Sequence, residues 1–408
     1  MTSKRQHGPP GVRAATGTVR LKPGREKPLR QRHPWVFSGA IADVSPDVRD
    51  GDVADVVGAG GEFLARGTVN RRSQIVVRVL TFREDEPIDG AFFEARLRRA
   101  IGARPALPAV RCVNAESDGL PGLVVDRYGD TWVLQASTLG IERFKLDVVR
   151  ALEGIASPRT IYERSDVDGR EKEGLSPRVG LLSGEEPPEL IEIREKTFDG
   201  GEITLLVDVR RGHKTGAYLD QRENRFLVGG LARDADVLNL FSYTGGFGLH
   251  AAAGGARSVT NVDSSAEALS LSERAAAESG SSGCVAHVRD DAFEALRRFR
   301  DEGRSFDLVV LDPPKFAHGA SQVDRAARAY KDLARVAMLI TKPGGRLATF
   351  SCSGAVSADL FQKITFSASV EAARDVQIVH RFAQPEDHPV LLTFPEGEYL
   401  KGLLCRVF

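Results

Sequence analysis

An apolar run that breaks into a glycine-rich turn constrains this chain more than any other stretch of its sequence. The run begins at Val237, and the turn that follows contains Gly245, Gly246 and Gly248. Such a run predicts a buried parallel strand, and the glycines allow a tight turn that approaches a ligand and leads into a helix. The unit therefore predicts a doubly wound α/β sheet with a ligand crevice at the carboxyl ends of its strands.

The residues around this turn indicate which kind of ligand it holds. Asp263 ends the next apolar strand, 18 residues after Gly245, close to the spacing at which a carboxylate accepts hydrogen bonds from ribose hydroxyls. Residues 244–248 lack the GxGxxG spacing that accompanies a bound pyrophosphate. This combination favours a ligand with an adenosine and no pyrophosphate, and S-adenosylmethionine fits best.

Charge is distributed unevenly along the 408 residues, although it sums to zero. Residues 1–100 hold 18 Lys and Arg against 12 Asp and Glu, so this part is either an anion-binding surface or a solvated basic face. The four cysteines include no CxxC pair, which predicts neither a zinc site nor a disulfide framework, and we expect no metal. The same cysteine pattern makes a reducing cytosol the default location. No apolar run approaches the roughly 20 residues that span a bilayer, so we expect no membrane partner.

Changes in sequence pattern divide the chain into four segments. Residues 1–17 lack apolar periodicity, which predicts a disordered tail. Short apolar runs between turns predict a small β-barrel over residues 18–95, and mixed elements predict a central α+β domain over 96–208. Alternating strands and helices over 209–408 predict the doubly wound domain.

Two further expectations concern the central domain. Residues 166–188 are rich in Gly, Pro and charged side chains, which predicts a loop. Glu116, Asp118 and Asp126 lie near turn signals, so we expect them to serve turn geometry rather than catalysis. The domain is expected to help to clamp a substrate.

Basic residues precede aromatic ones in residues 22–39, a combination suited to phosphate contact and stacking on bases. Trp35 and Phe37, taken alone, are more typical of a hydrophobic core. The segment around them resembles a PUA domain, a small RNA-binding module, which implies recognition of structured RNA. The residues expected to bind RNA are Lys22, Arg25, Lys27, Arg30, Arg32, His33 and Trp35.

Acidic and thiol side chains follow the other strands predicted for the C-terminal domain. Asp291 follows the third strand, where it can accept from an adenine amino group, whereas Asp290 is expected to cap the next helix. Asp312 follows the fourth strand and is held by two prolines, and Cys352 follows the fifth. The ends of adjacent strands 1, 4 and 5 line one crevice, so Asp312 and Cys352 should converge there, with Cys352 as a nucleophile.

Six short motifs are specific when they are taken jointly. They are NLFSYTGGF (239–247), DPPKF (312–316), FSCSG (350–354), HKTGAYLDQR (213–222), DHP (387–389) and YLKG (399–402). Together they resemble the bacterial 23S rRNA large subunit methyltransferase I family, whose members are cytosine-5 methyltransferases with an N-terminal PUA domain. The resemblance covers Val19 to the C-terminus and implies S-adenosylmethionine as cofactor and 23S rRNA or a large-subunit precursor as partner. A homodimer is compatible with the sequence.

Carried over position by position, the resemblance implies a catalytic group and a cofactor pocket. Cys352 is the implied nucleophile and Asp312 its catalytic partner. Lys315 stands where many RNA cytosine-5 methyltransferases carry a second cysteine, so a second cysteine cannot assist product release. The cofactor-binding residues it implies are Lys214, Tyr218, Asp220, Gln221, Arg222, Phe241, Tyr243, Thr244, Gly245, Gly246, Asp263, Asp291 and Asp312.

The implied mechanism begins when the Cys352 thiolate adds to C6 of cytosine and makes C5 nucleophilic. Asp312 would stabilise the adduct at N3 or the amino group, and the base that removes the C5 proton stays open between Lys315, a water and groups near the thiolate. A uracil-5 methyltransferase would share this chemistry. An amino-group methyltransferase would prefer an aromatic residue after Asp-Pro-Pro and would not need Cys352. An RNA chaperone that binds the cofactor without catalysis would not need Cys352 either.

Overall fold

The computed structural model describes residues 15–317 and 319–408. Of the segment predicted as a disordered tail, residues 1–14 lie outside the described residues. Thr16 donates hydrogen bonds from its backbone N–H and its hydroxyl to the carbonyl of Val53. The described chain therefore begins at a point that is already bonded to the first sheet.

Contacts divide the described chain into two compact units. Unit 1 runs up to residue 189 and includes residues 208–217 and 386–397, and unit 2 comprises residues 190–207, 218–385 and 398–408. Contacts alone do not test independent folding, so the division into four segments stays a prediction. In the part of the chain that the structure describes, no helix is both long enough and apolar enough to cross a membrane.

The first sheet of unit 1 is built from short apolar strands. Its elements are β1 (Thr18–Leu21), α1 (Lys27–Arg30), β2 (Trp35–Phe37), β3 (Ile41–Val44), β4 (Val53–Val57), β5 (Phe63–Val69) and β6 (Ile75–Thr81). The strand order is β2-β6-β5-β4-β1-β3. Val19, Val56 and Val77 are fully buried in its core. Phe37, expected in a core, is 48% exposed, because it ends the edge strand β2.

The second sheet of unit 1 packs against two helices. Its elements are α2 (Gly90–Gly102), β7 (Ala109–Asn114), β8 (Leu123–Tyr128), β9 (Thr131–Ala136), α3 (Leu139–Ala156), β10 (Thr160–Ser165), α4 (Gly169–Lys172) and β11 (Arg178–Gly184). The order is β11-β10-β9-β8-β7. The prediction of a loop over residues 166–188 is wrong, since α4 and β11 lie there. As an edge strand with mostly exposed side chains, β11 needs no apolar pattern.

Unit 2 contains the doubly wound sheet. Its elements are β12 (Ile191–Lys196), β13 (Glu202–Val207), α5 (Arg222–Gly229), β14 (Asp236–Leu240), α6 (Gly246–Ala253), β15 (Ser258–Asp263), α7 (Ala266–Glu278), β16 (Val285–Arg289), α8 (Ala292–Asp301), β17 (Phe306–Leu311), α9 (Val323–Ile340), β18 (Thr341–Ser351), α10 (Ala358–Glu371), β19 (Val376–Ala383) and β20 (Lys401–Val407). The sheet order is β16-β15-β14-β17-β18-β20-β19, and β12 and β13 form a separate hairpin. The predicted α/β class is confirmed.

Both faces of this sheet are covered at its centre, which explains the apolar runs of the central strands β14 and β17. Leu238 and Val309 belong to the core shared with α8, α9 and α10. Val237 and Leu308, one position earlier, belong to the core shared with α5, α6 and α7. The strand β20 runs antiparallel to both of its neighbours, whereas β14 to β18 are parallel, so the carboxyl ends of β14 to β18 meet at one edge.

Candidate active site

The ends of β14, β17 and β18 lie side by side, because these strands are parallel neighbours in the sheet. The expected adjacency of strands 1, 4 and 5 is therefore confirmed. Asp312 directly follows β17 and Cys352 directly follows β18, and both side chains are half-buried. Lys315, three residues after Asp312, is exposed. The thiol and the carboxylate thus stand at one edge of the sheet, where a substrate can reach them.

The pKa of Tyr218 shows which of the predicted groups lie close together, because it depends on the charges around the phenol. Burial, and then neighbouring groups, raise the pKa of Tyr218 well above its usual value. Those groups are Asp312, Tyr243, Asp220 and Cys352. The ring of Tyr218 also lies edge-on to that of Tyr243, with centroids 5.3 Å apart. Because electrostatic effects weaken with distance, residues from several separate segments share one neighbourhood in unit 2.

Tyr330 on α9 lies beside the same pair, and the sequence analysis missed it. Its hydroxyl accepts a hydrogen bond of 3.0 Å from Ser351, the residue before Cys352. Burial, together with Cys352 and Asp312, raises the pKa of Tyr330 to about 12, so the phenol stays protonated. Its position on the apolar face of a helix gave no signal beyond that of a core residue.

A buried network of polar side chains packs against the glycine-rich turn and supports it. Asn239 donates to Asn261 at 2.9 Å, and Asn261 donates to the hydroxyl of Ser272 at 3.2 Å. Gly245 has a φ of +79°, and a Cβ there would lie 2.0 Å from the Ser272 oxygen. A Cβ on Gly248 would lie 2.2 Å from the Asn261 side-chain oxygen. Both positions therefore require glycine.

The backbone on either side of that turn is held in uncommon conformations. Phe241 and Tyr243 have φ values of 59° and 48°, in the left-handed region that non-glycine residues rarely adopt. Such residues persist where the surroundings fix them, at a cost of about 1–3 kcal/mol each. Asp263 supplies one such contact, since it accepts from the backbone N–H of Tyr243 at 2.8 Å and of Ser265 at 2.9 Å.

These features fit S-adenosylmethionine as the ligand of the turn. Each oxygen of Asp263 accepts one protein hydrogen bond and retains capacity for a ribose hydroxyl. The hydroxyl of Ser242 is buried and has no hydrogen-bond partner among the described residues, so it can serve a ligand at the turn. Thr244 and Gly246 lie half-buried beside it, and the Phe241 ring lies 6.5 Å from that of Phe293 on α8. The site therefore offers acceptors for the ribose and an aromatic surface.

Asp291, rather than Asp290, caps the helix that follows β16. Asp291 caps α8, because its carboxylate accepts from the N–H groups of Phe293 and Glu294 at 2.9 and 3.2 Å. Asp290 instead pairs with Arg298 at 2.8 Å, so the expectation that Asp290 caps the helix is wrong. Both cap bonds of Asp291 use the same oxygen, and its contact with adenine stays a prediction.

The motif over residues 213–222 is split between the two units. Asp220 and Gln221 are buried in a short 3-10 turn of unit 2, and Asp220 accepts from the hydroxyl of Tyr399 at 2.8 Å. Arg222 begins α5 and is half-buried. Lys214 belongs to unit 1, where it is exposed and has a φ of 54°. The cofactor roles of these four residues stay predictions.

The predicted RNA-binding residues all lie in unit 1, most of them at its surface. Lys22, Arg25, Lys27, Arg30 and Arg32 are exposed, and His33 and Trp35 are half-buried. Arg25, His33 and Trp35 line a cavity of about 200 Å³. The indole N–H of Trp35 donates to Glu116 at 2.8 Å, so this ring is anchored as well as accessible.

Two of the acidic residues assigned to turns have other roles. Glu116 accepts from both Trp35 and Arg78, and so joins the first sheet to the second. Asp126 is fully buried on β8, where Arg111 binds both of its oxygens at 2.8 and 2.9 Å. The turn assignment is correct for Asp118, which accepts from the backbone N–H of residue 114 at 2.6 Å.

The other cysteines differ from Cys352 in their surroundings. Cys112 and Cys405 are buried, and burial raises the pKa of each thiol to about 12. The thiol of Cys284 donates to the carbonyl of Ser281 at 3.4 Å, and Cys284 directly precedes β16, at the amino end of that strand and opposite the carboxyl ends. Across residues 15–317 and 319–408, no cluster of three or more His, Cys, Asp or Glu side chains is arranged to hold a metal ion.

Known proteins match this chain along nearly its whole length. Residues 19–82 match the family model of a PUA-like domain, and residues 178–406 match that of an S-adenosylmethionine-dependent methyltransferase. The predicted cofactor and N-terminal module are thereby confirmed. The chain is 47% identical over 394 residues to ribosomal RNA large subunit methyltransferase I of Klebsiella pneumoniae, covering 95% of this chain and 97% of that one. It is 48% identical over 398 residues to the protein of the same name from Shewanella denitrificans, covering 96% and 99%.

Solved structures share the fold at lower identity. A Streptococcus mutans protein assigned as an S-adenosylmethionine-dependent methyltransferase superposes with a TM-score of 0.80 at 22% identity, covering 96% of this chain and all of that one. A methyltransferase structure in complex with SAH gives a TM-score of 0.81 at the same identity and coverage. Because the two sequence relatives match almost end to end at 47% and 48% identity, this chain belongs to the ribosomal RNA large subunit methyltransferase I family.

Proposed function

We propose that this enzyme methylates C5 of a cytosine in 23S ribosomal RNA through a covalent bond between Cys352 and C6 of the base. The names of the relatives support large-subunit ribosomal RNA as the substrate. The observation that carries the cytosine-5 chemistry is the position of Cys352 and Asp312 at the ends of neighbouring strands, where both groups raise the pKa of Tyr218. Methylation at C5 of a pyrimidine requires a nucleophile that adds to C6, and a thiol in that position supplies one.

Cytosine C5 is a poor nucleophile, so the ring must be activated before a methyl group can be added. Addition of the Cys352 thiolate to C6 moves electron density to C5, which becomes a carbon nucleophile. S-adenosylmethionine, when bound, would supply the electrophilic methyl group that C5 takes up, and S-adenosylhomocysteine would be the leaving product. A base then takes the C5 proton, the C5–C6 double bond forms again and the C6–S bond breaks, so that the thiolate returns to Cys352.

Asp312 and the two tyrosines define the surroundings of this reaction. We assign Asp312 the hydrogen bond to N3 or the amino group of the cytosine, because the prolines that follow it hold its position at the end of β17. The high pKa values of Tyr218 and Tyr330 keep both phenols neutral, so each can donate a hydrogen bond at neutral pH. Lys315 is exposed and remains available to the nucleic acid or to the departing proton.

The target base must leave any helical stack before it reaches the thiol, at a cost of a few kcal/mol. The exposed basic residues of the PUA-like module, among them Arg25 and Arg32, supply phosphate contacts that offset this cost. Since the substrate is ribosomal RNA or its precursor, we place the enzyme in the cytoplasm.

The test uses 23S rRNA fragments that carry 5-fluorocytosine, because fluorine cannot leave as a proton does. Wild-type enzyme should become covalently trapped, with the adduct mapped to Cys352 by mass spectrometry. Cys352→Ala should neither trap nor methylate, yet should bind S-adenosylmethionine with nearly unchanged affinity. Cys284→Ala is the matched control, because that thiol lies at the amino end of β16 and not at the carboxyl ends of the strands, and it should trap normally.

Each other outcome of that experiment favours a different chemistry. Trapping by 5-fluorouracil but not 5-fluorocytosine would move the proposal to uracil. Substantial methyl transfer by Cys352→Ala would overturn the covalent mechanism and favour an amino-group acceptor. Cofactor and RNA binding without any transfer by wild-type enzyme would favour a chaperone.

A further inference from the structure

A lysine lies buried beside the proposed nucleophile, and nothing in the mechanism above uses it. Lys401 begins β20 and pairs in register with Ser351, the last residue of β18. Its side chain is enclosed, and the residue is 8% exposed. Lysine is almost never buried unless its charge is compensated, so this position needs an explanation.

The contacts of Lys401 converge on the turn that carries Cys352. Its Nζ donates to the carbonyl oxygens of Ser353 and Val356, each at 2.7 Å. The hydroxyl of Ser353 in turn donates to the carbonyl of Ala317, directly after the Asp-Pro-Pro-Lys-Phe segment, at 2.5 Å. One ammonium group therefore fixes the turn after β18, and that turn is tied to the segment of Asp312.

Electrostatics connect the same ammonium group to the thiol. Burial lowers the pKa of Lys401 to about 8, while Cys352 acts in the opposite direction, which is the effect of a neighbouring anion. The other groups that act on Lys401 are Glu398, which raises its pKa, and Lys315, which lowers it. The ammonium form therefore predominates below about pH 8 and is lost as the pH rises through that value.

The carboxylate of Asp312 gives a second reason for a cation beside the Cys352 thiolate. Asp312 and Cys352 both act on Tyr218 and Tyr330, so a thiolate would form near a carboxylate. Two like charges at one site disfavour each other, whereas a cation beside one of them lowers its energy. In a poorly hydrated site this compensation is stronger than in water.

We propose that Lys401 is a positioning residue that fixes the turn of Cys352 and stabilises its thiolate. The proposal rests on the proposed function, in which this thiolate adds to C6. It assigns a role to the lysine of the YLKG motif, which the cofactor and substrate contacts leave unexplained. The two carbonyl bonds supply the position, and the charge supplies the stabilisation.

The experiment follows alkylation of Cys352 by iodoacetamide across pH 6 to 10 on the full-length protein, with the modified peptide quantified by mass spectrometry. Lys401→Gln retains N–H donors for the carbonyls but removes the charge, and Lys401→Arg retains the charge. We expect Cys352 in Lys401→Gln to be alkylated about tenfold more slowly near pH 7, which corresponds to a rise of about one unit in the pKa of its thiol. Lys401→Arg should stay close to wild type. Lys363→Gln, on the exposed face of α10, is the matched control and should not differ.

The shape of the profile separates charge from structure. Wild type and Lys401→Gln should converge above about pH 9, where wild-type Lys401 is neutral, while a purely structural defect would slow alkylation at every pH. Equal profiles for wild type and Lys401→Gln would overturn the proposal. A measurement without variants also tests it, because folded wild type should reach half-maximal alkylation of Cys352 at a lower pH than the urea-denatured chain, and an equal or higher midpoint would overturn it.

Alkylation requires no nucleic acid, so this result is independent of the cytosine chemistry. If Lys401→Gln shifts the profile but 5-fluorocytosine traps no adduct, the proposed function fails while the role of Lys401 in thiol acidity stands. If the trap forms at Cys352 but the profile does not shift, only the proposal for Lys401 fails.

Discussion

Replacement of Glu195 tests whether a buried charge cluster supports the cofactor turn. Glu195 on β12 accepts from Arg225 on α5, with a distance of 3.1 Å to Nε, and from His250 on α6 at 2.9 Å. All three side chains are almost fully buried. Burial by itself raises the pKa of Glu195, but Arg225 and His250 outweigh it and bring the pKa to about 2. The carboxylate is therefore ionised at any pH at which the enzyme works.

Glu195→Ala would leave the guanidinium of Arg225 buried without its anion. Loss of one partner of a buried pair costs about 3–5 kcal/mol, and we expect that loss in the free energy of unfolding of unit 2. Arg225 also donates to the carbonyl of Tyr218 at 2.8 Å, and a Cβ on Gly246 would lie 2.7 Å from its Cδ. Affinity for S-adenosylmethionine should therefore fall as well, although Glu195 lies outside the predicted cofactor contacts.

The assay is urea unfolding followed by far-UV circular dichroism and by hydrogen exchange of β14 and α6. Trp35 and Trp132 are the two tryptophans of the chain and both lie in unit 1, so their fluorescence reports that unit and serves as an internal reference. Glu202→Ala on the neighbouring strand is the matched control, because that side chain is half exposed and its ion pair is long at 3.9 Å. It should change stability by less than about 0.5 kcal/mol.

The pH dependence gives the sign of the effect. A carboxylate whose pKa falls from 4.5 to about 2 on folding contributes stability above pH 4.5 and loses that contribution as the pH falls toward 2. The difference between wild type and Glu195→Ala should therefore shrink between pH 5 and pH 3. A difference below about 1 kcal/mol at pH 7, or one that grows on acidification, would refute the reasoning.

Two further predictions concern ligands. Asp263→Ala should weaken S-adenosylmethionine binding by about 1–3 kcal/mol, because ribose hydroxyls would lose their acceptor, and unchanged affinity in calorimetry would place the ribose elsewhere. The double variant with Lys22→Glu and Arg25→Glu should bind ribosomal RNA more weakly and lower the slope of its salt dependence by about 1 for each lost phosphate contact, while calorimetry shows unchanged affinity for S-adenosylmethionine. Arg150→Glu on α3 is the control for charge alone, and an equal loss for that variant would contradict the assignment.

The sequence predicted most strands of both units because apolar runs bounded by turns mark them directly. The strands at Val53–Val57 and Phe306–Leu311, for example, coincide with short apolar runs of the sequence. The adjacency of strands 1, 4 and 5 was predictable too, since a doubly wound sheet with a crevice at its strand ends has few arrangements. Fold class and the neighbourhood of Asp312 and Cys352 therefore followed from local pattern.

Contacts between distant segments could not be predicted in the same way. Nothing local distinguishes Glu195, in an alternating strand, from its exposed neighbours, because its partners come from two helices that follow later in the chain. The same holds for Asp126, whose role depends on the register of β7 against β8. One local feature of the sequence indicates a special role for Lys401, namely that its charge interrupts the apolar run after Tyr399.

Several buried polar groups of unit 2 contact the backbone turns of the candidate site rather than the centre of a hydrophobic core. The cluster of Glu195 holds Arg225 against the glycine turn, Asn261 lies under the same turn, and Lys401 holds the turn of Cys352. Buried ion pairs contribute little net stability compared with apolar packing, so stability alone does not account for them. Hydrogen bonds fix direction as well as distance, whereas apolar contacts constrain direction weakly. We infer that unit 2 uses its buried charges to hold the cofactor turn and the nucleophile turn at fixed positions on the edge of one rigid sheet.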